Sequence, residues 1–294
     1  MTAKIVYEIG DMSIPYEEYV KMDEYKTEDS EYNICKYCGE NDPLKFSSKA
    51  HLIPEFTGNK EWFCNNECDK CNNGFSAYEY NLKNFGAFKN SYLPISGKKK
   101  FPKYTDGNED FILQFQADKS LKMDAKNIDS FKTQNERIYF KSLTMPFVPL
   151  NVYKCLFKIA LGMMKKDDFE KFSSSIAWLK DKKMKVEPKI PLLLLYNPNS
   201  KPVIKPIALL LKRKESYNCP EYSFIFIWGF SLFQIFLPFN PNDENLNYEE
   251  LKLPILPMFT IQKQDGKIGL SHFDMNSLKK IQSHAEISFG AKMK

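Results

Sequence analysis

The apolar positions of this chain fall into two kinds of pattern, one helical and one alternating. Phe75, Tyr78, Leu82 and Phe85 recur at helical spacing. Ser76 with Glu79 three residues on is a capping box that predicts where this helix starts, and Gly86 is its expected stop. Val152, Leu156, Ile159 and Met163 share a second helical face, and Phe157, Ala160 and Leu161 broaden it until the helix is apolar nearly all round and must be buried. Asp167 or Asp168 is expected to cap a third, carrying Phe169, Phe172, Ile176 and Leu179. Strand-like runs occupy 3–9, 111–115, 137–141, 192–196, 204–211, 224–228, 232–237 and 258–262, separated by Asn-Pro, Pro-Glu and Gly-containing turns. Leu44 and Phe46, then Leu52 and Ile53 ending at Pro54, suggest a small hairpin. Residues 15–33 are acidic and Tyr-rich, with a helical turn expected around Tyr16–Met22, and read as an arm on the segment that follows.

Residues 222–239 carry no charge and are long enough to raise a membrane span. The run is aromatic and β-branched, holds Gly229 and Gln234 midway and lacks a basic flank, which favours a buried two-strand hairpin and no membrane partner. The break between Leu93 and Gly107, with Pro94, Gly97, Pro102 and the triplet Lys98, Lys99 and Lys100, reads as a linker. Four segments result: an N-terminal arm (1–32), a small module (33–92), a linker (93–108) and a C-terminal unit (109–294) of mixed α/β type, with an antiparallel-rich sheet and two helices. The fold class is α+β.

Composition narrows the setting. A chain of 294 residues with 43% hydrophobic and 15% aromatic content has ample material for cores, which excludes wholesale disorder. The formal charge of +5 suits a phosphate-rich partner without demanding one. The first residues lead into a strand-like run that soon meets acidic residues, unlike a secretory leader, so a reduced, cytoplasmic setting is expected for the thiols. Cys155 and Cys219 sit apart, as ordinary core or surface thiols.

The chemistry concentrates between Cys35 and Phe85. Cys35/Cys38 and Cys68/Cys71 form two Cys-x-x-Cys pairs, the ligand set of a closed, tetrahedral, structural zinc site. The 29 residues between Cys38 and Cys68 exceed the roughly 15–20 of a plain zinc ribbon, so another element is held between the knuckles. That element carries Ala50-His51-Leu52-Ile53-Pro54, and His51 is the one histidine in the N-terminal half. Cys64 offers an alternative to Cys68, with a spacing to Cys71 that fits a knuckle less well.

Cys-x-x-Cys, His-hydrophobic-hydrophobic-Pro, the Gly58-Asn59 turn and Cys-x-x-Cys-Asn, in that order, resemble the HNH endonucleases over about residues 33–88. The resemblance implies a zinc-braced ββα-metal module that hydrolyses phosphodiester bonds of nucleic acid, DNA before RNA, in settings such as restriction or phage defence. It implies His51 as general base and Asn72 as a residue facing a catalytic Mg²⁺ or Mn²⁺. Glu79, a turn into the following helix, is a further candidate ligand, with its capping role as the competing reading. Asn72 has its own competing reading as a turn residue. The middle Asn of the family's name has three candidates here, Asn59, Asn65 and Asn66. Ala50 stands where many members place an Asp, Glu or His ligand. The lysines 98–100 could touch a phosphate backbone or be merely solvated. Independently of the family, a histidine of ordinary pKa can take a proton from water at neutral pH, and a four-thiolate zinc has no open position for chemistry. The C-terminal unit is expected to supply specificity, sensing, a regulatory protein contact or self-association. The competing function is a catalytically inactive zinc-braced module that binds nucleic acid or protein.

Overall fold

The computed structural model describes residues 15–22, 34–97, 101, 103–126, 132–134, 137–184, 191–197, 201–215, 217–246, 269–282 and 284–290. In chain order these give strand β1 (Tyr16–Lys21), helix α1 (Asp69–Asn90) and strands β2 (Lys103–Thr105), β3 (Phe111–Phe115), β4 (Leu121–Ala125), β5 (Lys132–Gln134) and β6 (Arg137–Leu143). Helices α2 (Pro149–Met163), α3 (Lys166–Phe169) and α4 (Ser173–Lys180) follow. Strands β7 (Leu192–Tyr196), β8 (Val203–Arg213), β9 (Tyr222–Gly229), β10 (Ser231–Phe236), β11 (Gly269–Phe273) and β12 (His284–Gly290) complete the set. The largest sheet has the order β1-β8-β9-β10-β7-β11, with every neighbouring pair antiparallel. Two further sheets, β2-β3-β4 and β12-β6-β5, are three-stranded and antiparallel. The fold is therefore mixed α/β with antiparallel sheets, as expected. The strand-like runs at 3–9 and 258–262 lie outside the described residues.

Helix α2 is the centre of the packing. Pro149 starts it at a position that needs no N–H donor. Every residue of it except Asn151 is buried. Its apolar surface meets α1 and the inner face of the large sheet, where Leu194, Ala208, Leu210, Phe224, Phe226, Phe233 and Ile235 join one continuous core. Burying each such aliphatic or aromatic side chain contributes about 1.5–3 kcal/mol. The alternate residues of the same strands, among them Leu193, Leu209, Leu211, Ile225, Leu232 and Phe236, are buried on the outer face.

Burial on both faces explains the uncharged run at 222–239. It is the β9–β10 hairpin, with Trp228 opposite Ser231 and the turn at Gly229-Phe230. Gly229 has φ +62°, and an added Cβ would run into the Asn90 side chain, so glycine is required there. No helix among the described residues is long and apolar enough to cross a membrane.

The structure departs from the periodicity at four places. Tyr16–Lys21 is strand β1 rather than a helical turn. A bulge between Glu18 and Val20 shifts its register against β8, so Tyr16 and Val20 are buried on opposite faces of the sheet. The capping box does not start α1, which begins at Asp69; Ser76 is inside the helix and its hydroxyl donates to the Asn73 carbonyl at 2.7 Å. Gly86 does not end α1 either. It lets the Trp228 indole lie against the helix, where a Cβ would overlap the ring. The helix expected from Asp167 or Asp168 starts at Lys166 and is broken by a 3-10 turn at Glu170–Phe172. Asp168 does not cap it, because its carboxylate instead takes the Tyr19 hydroxyl at 2.5 Å and the Lys171 ammonium at 2.6 Å. The core shows a further feature: side chains of 35–95 and of 147–237 lie in the same cluster. Within 93–108, Leu93, Ile95 and Tyr104 are buried.

Gly86→Ala tests the close approach. Alanine gains about 1 kcal/mol of helix propensity, and overpacking costs about 1–3 kcal/mol. The overlap here is with a rigid ring, so the variant should lose about 1 kcal/mol in urea unfolding.

Candidate metal centre and the histidine beside it

Each cysteine pair is built by its local chain. At the first, Cys35 N–H donates to the Glu40 carbonyl at 2.7 Å and Gly39 N–H to the Cys35 carbonyl at 2.8 Å. The turn places Gly39 at φ +74°, in the left-handed region. At the second, Cys68 precedes α1 and Cys71 lies in its first turn. Asp69 holds that helix start, because its carboxylate accepts the Ser47 and Ser48 backbone N–H groups at 3.0 and 2.8 Å and both serine hydroxyls. These bonds to the charged form hold its carboxyl well below the usual range.

The sulfurs of Cys35, Cys38, Cys68 and Cys71 lie within 4.8 Å of one another. The Cys38–Cys68 separation is 3.6 Å. A tetrahedral zinc with bonds of about 2.3 Å has sulfur–sulfur edges of about 3.8 Å, so the residues fit the ion. The Cys35 thiol is pushed down to about 4, first by a hydrogen bond from Cys71, which is itself pushed up. Cys64 is excluded from this cluster. It is buried, donates to Asn66 Oδ1 at 3.2 Å and has its pKa pushed up to about 11 by burial. Among the described residues this is the only such grouping of three or more His, Cys, Asp or Glu. The cluster can hold a structural metal such as zinc.

His51 lies on a single antiparallel bridge to Phe63, flanked by Leu52 N–H to the Trp62 carbonyl at 3.0 Å and Cys64 N–H to the Ala50 carbonyl at 2.9 Å. The expected hairpin is reduced to this bridge. Leu44 stands exposed on a 3-10 turn at Pro43–Lys45, which the Asp42 side chain caps. Of the three candidate asparagines, Asn59 is the buried one that braces the His51 loop. Its amide donates to the Ile53 and Trp62 carbonyls at 2.7 and 2.9 Å, and its oxygen accepts from Glu61 and Trp62 N–H.

The His51 ring packs on Phe63 at 4.8 Å between centroids. Its Nδ1 is buried without a hydrogen-bond partner among the described residues, while Nε2 lies 3.7 Å from Glu55 Oε2. The two side chains keep 26% and 22% of their surface exposed. The other Glu55 oxygen takes Lys60 Nζ at 2.8 Å. Burial lowers the pKa of His51; Glu55 opposes this, while Lys158, Lys60 and Lys49 add to it. The imidazole is thus neutral at pH 7 and able to accept a proton.

Two other expected site residues, Asn72 and Glu79, lie on α1. Asn72, half-buried in the first turn of α1, donates to the Ser48 hydroxyl at 3.3 Å. Glu79 is half-buried, its carboxyl pushed up by burial, with Lys158 and Glu67 as the charges around it. Seven residues of helix put about 10 Å between Asn72 and Glu79 along the axis, so ligands of one ion would have to lean toward each other. Lys98, Lys99 and Lys100 lie outside the described residues. His272 is on β11 and His284 on β12.

Sequence reasoning missed Glu55, which faces the His51 ring, and the Glu67–Lys158 pair that reaches the His51 carbonyl. Glu55 carried only its i+4 spacing. Glu67 and Lys158 form an ion pair at 2.9 Å, with 0% and 2% of their side chains exposed. Lys158 also donates to the His51 carbonyl at 3.1 Å. Burial works against the Lys158 charge, but Glu67 and then Glu79 outweigh it and hold the ammonium protonated. The legible signal was the pair of lysines, Lys154 and Lys158, in a helix otherwise almost wholly apolar.

Comparison with protein-family models, with curated proteins and with solved structures found no match. The chemistry of the site therefore rests on its residues.

Apparent binding free energies of structural zinc reach about 10–16 kcal/mol, comparable to the whole stability of a domain. The purified chain should carry zinc. Cys38→Ser and Cys71→Ser should lose it and melt at lower temperature, whereas Cys64→Ser should keep it. Metal analysis with thermal denaturation separates these outcomes.

Proposed function

We propose that this chain is a metal-dependent endonuclease of the HNH type, with DNA as its preferred substrate and restriction or phage defence as its setting. The observation that carries this reading is His51. Burial lowers its pKa, its side chain is partly exposed with Nε2 3.7 Å from the Glu55 carboxylate, and its carbonyl is tied through Lys158 to Glu67, next to a cysteine of the four-cysteine centre. In the proposed reaction a water oxygen attacks phosphorus, the bond to the leaving oxygen breaks, and the water proton passes to His51. Nε2 takes the proton, because Nδ1 is buried, and the Glu55 carboxylate 3.7 Å from Nε2 stabilises the imidazolium that forms. A bound Mg²⁺ or Mn²⁺ would supply charge neutralisation at the phosphate and help the leaving oxygen. The donors for that ion do not form a closed protein set. Ala50 has no donor, and outside the cysteines no three His, Asp or Glu groups of the described residues converge. Asn72 and Glu79 are proposed as its protein ligands, with substrate phosphate and water completing the sphere, as is usual for Mg²⁺.

That lack of convergent carboxylates favours the second reading, a zinc-braced module that binds nucleic acid or protein without cutting. The two readings part on one experiment. Wild type should nick plasmid DNA with Mg²⁺ or Mn²⁺ and stop with EDTA, and His51→Ala should be slower by about 10²–10⁴-fold with zinc retained. Absence of cutting by wild type under every divalent ion would favour the binder.

The pH dependence has a definite sign. The pKa of folded His51 lies below its ordinary value of about 6.5, so cutting should rise with pH through an acid limb below that value and stay flat above it. Glu55 raises this pKa, and Glu55→Gln should therefore move the limb to still lower pH in an initial-rate profile.

A further inference from the structure

Helix α2 carries two buried lysines one turn apart, which is costly for a helix that is otherwise apolar. Lys154 has a local task. Its ammonium donates to the Trp178 carbonyl at 2.7 Å and to the Asp181 carbonyl, closing the end of α4. Lys158 meets no helix end. It reaches Glu67, the residue immediately before the ligand Cys68, and the carbonyl of His51. A methionine would fill similar space without the desolvation cost, and buried ion pairs are commonly no more stabilising than apolar replacements. What the pair adds is a fixed geometry.

The same peptide group is gripped on both edges. The His51 carbonyl accepts from Lys158, and the N–H of that peptide, on Leu52, donates to the Trp62 carbonyl at 3.0 Å. One turn along α2, Gly162 leaves no room for a Cβ against the Leu52 side chain, so the helix packs directly on the residue that follows His51. The preceding peptide is held too, because the Ala50 carbonyl accepts from Cys64 N–H at 2.9 Å, and with both peptide planes fixed the direction of the His51 Cα–Cβ bond is set. Glu67 in turn ties Lys158 to the second cysteine knuckle.

We infer that Lys158 is a positioning residue for His51, locking the His51–Leu52 peptide to the cysteine centre through Glu67 so that the imidazole faces Glu55 at fixed depth. This role in catalysis rests on the reading of His51 as the base. The placement itself can be tested without it.

The chain has three histidines, so their ring signals can be followed by NMR in the full-length zinc-loaded protein, with His51→Ala to assign one of them. Lys158→Met alone leaves Glu67 buried and unpaired and is expected to fold poorly. Lys158→Met with Glu67→Leu removes both charges and keeps the core filled. That double variant should fold, retain zinc and cut plasmid DNA with kcat lower by about 100-fold, the scale of a misplacement near 1 Å, and KM within about 2-fold of wild type. Its His51 ring signals should move while those of His272 and His284 stay. The His51 midpoint should also rise, because Glu55, Lys60 and Lys49 remain and Lys158 is gone. A double variant that holds zinc and leaves the His51 signals and midpoint of wild type unchanged overturns the inference. Should wild type cut nothing, the reading of His51 as base fails, and the ring signals still decide whether Lys158 places it.

Discussion

Four sulfurs drawn within 4.8 Å of one another constrain much of what surrounds them in this molecule. They join two points of the chain separated by 29 residues, and the ends of that loop can meet only if its interior folds back on itself. The interior does so with little regular structure. A single bridge at His51, a 3-10 turn at Glu55–Thr57 and the buried amide of Asn59 replace the ladder of a full hairpin. The same constraint fixes where α1 begins. Cys71 has to face the centre from the first turn, and Asp69 gathers Ser47 and Ser48 onto the helix start. The later capping box is then left inside a helix already under way.

Charges sealed beneath this assembly are each matched by a specific partner. Lys158 meets Glu67 and a carbonyl, and Lys154 meets the carbonyls at the end of α4. The Lys154 pKa is pushed down to about 8 by burial, with Asp181 opposing that shift. Lys36 reaches the carbonyls of Leu161 and Gly162 at 3.4 and 3.3 Å, linking the first knuckle to the end of α2. Polar side chains thus connect the cysteine-rich segment to a helix that, on its apolar surface, packs on the large sheet. The result is one core through segments that composition separates.

Much of this was legible. Cysteine spacing identified the ligand set, because chelation needs particular atoms at short sequence separation. Alternation identified β3 and β6, apolar runs bounded by turn residues identified β7, β8, β9 and β10, and the absence of charge at 222–239 was correctly a buried hairpin. Less legible were features in which two periods coincide. Tyr16–Met22 looked helical because apolar positions four apart suit a helix as well as a strand, and only the pairing with β8 decides between them. Gly86 looked like a stop because a glycine required by a neighbour's ring cannot be told from one required by a helix end. The break after Phe169 was hidden by an apolar spacing that a short 3-10 turn preserves.

The sequence by itself determined the fold class, the four thiols, the candidate base and the buried nature of α2. These follow from local spacing and from how much apolar surface a segment must remove from water. Only the tertiary structure decided that Asn59 braces the loop, that Glu55 rather than residue 50 brings a carboxylate to His51, and that Lys158 holds the His51 peptide. Those contacts join residues such as His51 and Lys158 that are far apart in the chain. Their energies depend on distance, orientation and exclusion of water, none of which a pattern of residue types encodes.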